Sequence, residues 1–129
     1  MTRLIAVLAL LPLAATAAQP VVDWSKAQQV DVRMVDDRFV PDHLTFQHGT
    51  PYRLLLQNAG KDLHEFTAPE FFADAVLRDP GVLAQGGKEV VVQSGADAVV
   101  YLMPINPGTF ELICADHDWD GMVGKIVVD

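Results

Sequence analysis

The stretch CADHDWDGM, residues 114–122, holds the only cysteine of the chain. A histidine follows three positions later, and a methionine five after that. On either side the sequence alternates. GTFELIC (108–114) places Phe110, Leu112 and Cys114 on one face and Glu111 and Ile113 on the other, and VGKIVVD (123–129) closes the chain. Strict alternation is the mark of a strand with one buried face. Cys114 therefore ends one strand and Met122 begins the next. The residues between form a tight loop that points several side chains toward one spot.

The same pattern extends upstream. QQVDVRM (28–34) alternates Val30, Val32 and Met34 against polar residues, and HLTFQ (43–47) alternates Leu44 and Phe46. PYRLLLQN (51–58) is denser and reads as a central strand. HGTP (48–51) is the turn before it. KEVVVQ (88–93) and DAVVYLM (97–103) flank the turn SGAD. APEFFADAVLRD (68–79) is the exception. Pro69 suits a first helical turn, and Phe72, Val76 and Leu77 share a helical face. DPGVLAQGGK (79–88) reads as a loop. Seven to eight short strands, with turn signals roughly every eight to twelve residues, imply an all-β, Greek-key β-sandwich with one short helix in a crossover.

The chain begins MTRLIAVLALLPLAATAAQP: one basic residue, an apolar run from Leu4 to Leu13, then small residues. This is the layout of a secretory signal peptide. The apolar run is shorter than the ~20 residues a membrane span needs, and Pro12 interrupts it. The expectation is a leader over 1–18 and a single domain over 19–129, periplasmic or otherwise exported. The formal charge is -8, and loss of Arg3 with the leader makes the remainder more acidic. Phosphates would repel such a surface, which excludes nucleic acid as a natural partner, whereas a basic protein partner suits it. In an oxidising compartment a lone cysteine cannot pair within its chain; it bridges molecules, lies inert or binds a metal.

Cys114, His117 and Met122 offer thiolate, imidazole and thioether from one loop. Soft sulfur with imidazole selects copper or zinc over magnesium or calcium. NAGKDLHEF (58–66) supplies a fourth donor, His64, in a loop just past strand 51–58. Two histidines, a cysteine and a methionine form the ligand set of a blue-copper centre, with the thioether as a weak, long axial ligand. His43 and His48 read as solvent-facing turn histidines. An enzyme is not expected. Cys114 and His117 lie on one turn, where cysteine hydrolases draw the pair from separate parts of the fold, and a four-ligand copper has no open position.

GTFELICADHDWDGMVGKIVV (108–128) resembles the C-terminal copper loop of the cupredoxins, with the C-x2-H-x4-M spacing of plastocyanins and pseudoazurins. DRFVPDHLTFQHGTPYRLLLQNAGKDLHEF (37–66) is similar to the family's early strands, which lead through an asparagine to the first histidine ligand. The resemblance implies one copper ion, cycling between Cu(I) and Cu(II), on His64, Cys114, His117 and Met122. It implies a surface position for His117, through which electrons pass to partners, and a small monomeric electron carrier. The alternative function is copper trafficking, storage or resistance. Glu65 stands where plastocyanins and azurins usually carry asparagine. Its carboxylate either lies beside the site, or turns to solvent or to a lysine such as Lys61. Asp116, Asp118 and Asp120 surround His117, either as turn residues or as a docking surface.

Overall fold

The computed structural model describes residues 17–129. Residues 1–16, which hold most of the expected leader, lie outside the described residues. Among those described, ten strands form two five-stranded sheets. One sheet runs β2 (Arg38–Val40), β1 (Gln28–Val35), β4 (Tyr52–Asn58), β8 (Asp97–Pro104), β6 (Ala75–Leu77). The other runs β3 (His43–Phe46), β10 (Val123–Val128), β9 (Gly108–Ile113), β5 (His64–Thr67), β7 (Glu89–Val92). The β1–β4 and β3–β10 pairs are parallel and the rest antiparallel. Consecutive strands such as β3 and β4, or β7 and β8, belong to opposite sheets, so the short turns between them cross the sandwich.

The expected all-β sandwich is present, and the alternation explains its core. Val32 and Met34 of β1, Leu44 and Phe46 of β3, and Leu112 of β9 are all buried. β4 lies between β1 and β8, as its density of leucines predicts, with Tyr52, Leu54, Leu56 and Asn58 turned inward. The strands beyond the expected seven or eight are short edge or connecting pieces, three or four residues long, as in β2, β5 and β6.

The helix is shorter than its pattern suggests. α1 covers only Pro69–Ala73, with Pro69 in the first turn and Phe71 and Phe72 buried. The chain then leaves the helix at Asp74, and Val76 and Leu77 pair with Met103 and Leu102 of β8. A β-branched residue beside an open sheet edge gains ladder hydrogen bonds that a solvent-facing helical turn does not offer. Asp74 fixes the change of direction: its carbonyl accepts from Ile105 N–H, and its carboxylate accepts from the Asn106 amide at 2.7 Å.

Candidate metal centre

β9 and β10 pair in register, Ile113 opposite Val123, and the ladder continues into the loop through Cys114 N–H to Met122 C=O at 3.0 Å. The Cys114 carbonyl accepts from His117 N–H, and the His117 carbonyl accepts from both Asp120 and Met122 N–H. A short 3-10 turn, Asp118–Asp120, ends at Gly121, whose φ of 88° is the left-handed conformation that glycine adopts at least cost. Cys114 keeps the inward phase of β9, and Met122 is likewise fully buried at the base of the loop.

His64 does not lie in a loop. It is the first residue of β5, paired with Val92 of β7, and is fully buried. The loop before it is organised by Asn58, whose amide donates to Asp62 and Val92 carbonyls, both at 2.8 Å, and accepts from Gly60 N–H at 2.9 Å. That is a physical reason for an asparagine ahead of the first histidine: all of its buried polar atoms are used.

The two segments meet at the sulfur. Cys114 Sγ lies 3.7 Å from His64 Nδ1 and 3.4 Å from His117 Nδ1. All three donor atoms fall within 4.8 Å of one another. An ion bonded at about 2.0 Å to imidazole nitrogen and about 2.3 Å to sulfur spaces the sulfur from each nitrogen by roughly 3.5–3.7 Å in trigonal or tetrahedral geometry. The donor set therefore fits a single copper ion. His117 is partly buried rather than fully at the surface, and packs edge-on to His64 with ring centroids 4.9 Å apart.

Glu65 takes neither solvent nor Lys61. It is 5% exposed, with its carboxylate 3.0 Å from Cys114 Sγ, where the thiol donates to it. The same oxygen accepts from Asp116 N–H at 3.3 Å, and the Glu65 N–H donates to the sulfur at 3.3 Å. Glu65 thus ties β5 to the cysteine loop. Burial pushes the Cys114 thiol up from 9.0 to about 11; the Glu65 N–H pulls the other way, while its carboxylate adds to the rise. The turn brings the Cys114 thiol into contact with the His117 imidazole.

His43, the first residue of β3 rather than a turn residue, and His48 are exposed and outside the donor cluster, bonded to the Asp42 carboxylate and the Asp129 carbonyl. Asp116, Asp118 and Asp120 are all exposed around His117. Trp119 is 77% exposed, and its indole N–H is pinned to the Asp116 carbonyl at 2.9 Å. Sequence reasoning missed Asp36, whose carboxylate lies 3.8 Å from His64 Nε2. No spacing rule points to it.

Comparison with known proteins agrees with the fold. The family model for the cupredoxin-like domain matches residues 3–128. The chain belongs to the cupredoxin-like family. Among solved structures, this cupredoxin is similar to auracyanin B, at 20% identity over 84% of this chain and 94% of that one, with a TM-score of 0.62. It is also similar to dithionite-reduced auracyanin from the photosynthetic bacterium Roseiflexus castenholzii: 12% identity, 80% and 98% covered, TM-score 0.61. A third likeness is to the metal-binding domain of the Cu(I)-exporting P-type ATPase CopA of Streptococcus pneumoniae D39, with Cu(I): 14% identity, 81% and 87% covered, TM-score 0.53. At these identities the likeness concerns the fold. A search of curated proteins finds no match.

Proposed function

We propose that this cupredoxin is an exported, monomeric one-electron carrier, in which His64, Cys114, His117 and Met122 would hold one copper ion. The observation that carries this reading is the convergence of three donors, at spacings that suit one ion, from two separate segments of a packed sandwich. When bound, copper supplies the one-electron couple between Cu(I) and Cu(II). The chain's own part is to hold the donors still. His64 and Cys114 are fully buried on or beside strands, and the loop hydrogen bonds fix His117. A donor set that does not move between charge states keeps the reorganisation cost low. Full occupation by four side chains leaves no position for a substrate, which suits a carrier rather than an enzyme.

The leader-like layout of 1–18 supports export. Among the described residues, no helix is long and apolar enough to cross a membrane. For the partner, the reading takes a redox protein with a basic docking surface. His117 is the most accessible of the three converging donors, and the exposed carboxylates of Asp116, Asp118 and Asp120 flank it, with Trp119 standing out among them. Such a rim steers a cationic protein and raises the association rate more than the affinity. Steering fades as salt shortens the Debye length, ~10 Å at 0.1 M. The test is stopped-flow electron transfer to a basic cytochrome c across a salt series. The wild-type rate should fall steeply with salt. The triple variant Asp116→Asn, Asp118→Asn, Asp120→Asn should be slower at low salt, with a flatter slope. Equal slopes would make the aspartates turn residues and place docking elsewhere.

A further inference from the structure

His64 has two ring nitrogens with different surroundings. Nδ1 faces the Cys114 sulfur, whereas Nε2 is buried and has no hydrogen-bond partner. The carboxylate oxygen Oδ1 of Asp36 lies 3.8 Å from Nε2. That oxygen is held in place by the Lys61 N–H at 2.8 Å, and Asp36 itself sits in the turn after β1. Gly60 keeps the space between them open. A Cβ there would lie 2.6 Å from Asp36 Oδ1 and 2.8 Å from His64 Nε2, distances no real Cβ tolerates without displacement of one or both.

We propose that Asp36 is the positioning residue of His64: its carboxylate takes the Nε2–H across the gap left by Gly60 and so presents the Nδ1 lone pair to the metal. The inference rests on the copper reading of the site. A neutral imidazole carries one N–H, and the nitrogen that carries it is fixed by the bond the other side makes. With the proton on Nδ1, the metal position would be blocked and the Nε2 lone pair would face a carboxylate oxygen, acceptor against acceptor. With the proton on Nε2, both nitrogens are used. A separation of 3.8 Å exceeds a direct hydrogen bond, so the proposal requires the carboxylate and Nε2 to approach by roughly 0.8 Å. A carboxylate behind a ligating histidine holds the ring's orientation and raises its basicity, and removing such a partner typically weakens metal binding about 10–100-fold.

The experiment compares wild type with Asp36→Asn, Asp36→Ala and Gly60→Ala. Ring ¹⁵N shifts of His64 are recorded in the metal-free and zinc-loaded protein at mildly alkaline pH, Cu(I) affinity by competition with a chromophoric chelator, and the reduction potential of the copper form. Wild type should carry its proton on Nε2 even without metal. Asp36→Ala and Gly60→Ala should populate both tautomers and lose roughly 10–100-fold in Cu(I) affinity. Asp36→Asn keeps an oxygen for the Lys61 N–H. It should recover part of the affinity but shift the potential upward, because the negative charge is gone. A wild-type proton on Nδ1 would overturn the proposal. So would an unchanged tautomer in Asp36→Ala, or full rescue by asparagine with an unmoved potential, which would leave Asp36 only a loop tie. If wild type binds no copper, the copper reading fails, while the tautomer of the metal-free protein still decides the role of Asp36.

Discussion

Cys114 shows how much of a residue's chemistry is set by neighbours remote in sequence. Its raised pKa means that the fold holds a neutral thiol, so metal binding displaces a proton. The same shift is a statement about stability. The folded value, about 11, lies above the ordinary 9.0. The contribution is therefore complete below pH 9 and is lost as pH rises through 11. The metal-free protein should lose roughly 2–3 kcal/mol over that window relative to Cys114→Ser, measured by denaturant melts at several pH values. Glu65→Gln should narrow the effect, since its carboxylate contributes to the rise; a pH-independent difference between cysteine and serine proteins would contradict the assignment. At this scale the ligand loop was legible, because Cys114, His117 and Met122 are close in sequence and their types are chemically distinctive. Glu65 was legible only through the resemblance, as one of two alternatives, and Asp36 was not legible at all. Glu65 meets the sulfur across 49 residues, and Asp36 meets His64 only through the packing of two turns. Neither contact leaves a local pattern.

At the scale of elements, alternation located most of the strands that matter, because one buried face forces a period of two. It misplaced His64, assigned to a loop, because β5 is only four residues long and three of its four residues are buried, so nothing alternates. It overextended α1 because Phe72, Val76 and Leu77 fit a helical face as well as a helix followed by a strand. Glycines divide in a similar way. At Gly121 the demand is conformational: φ is 88° and a Cβ would meet nothing. At Gly124 it is steric, because a Cβ would lie 2.5 Å from the Asp42 carbonyl oxygen, where β10 meets the start of β3. Gly81 makes neither demand. In chemical denaturation Gly121→Ala should cost about 1 kcal/mol, and Gly124→Ala about 1–3 kcal/mol from forced backbone displacement. Gly81→Ala should be close to neutral. Equal costs at all three would mean that the loop and the β3–β10 edge adapt more freely than their geometry implies.

The whole molecule is an acidic sandwich with its donors gathered at one end. The fold and net charge could be read in advance because both are sums over many residues. The tilt of the balance toward an electron carrier depends on how rigidly the donors are held, which no count of residues contains. The most direct measurement of the central claim is the visible spectrum of the purified domain titrated with Cu(II), beside Cys114→Ser. The wild type should develop an intense thiolate-to-copper charge-transfer band that saturates at one equivalent. The serine variant, with the same fold, should lack it. A pale ligand-field band alone, or a band that survives in Cys114→Ser, would contradict a thiolate-bound copper centre built on Cys114.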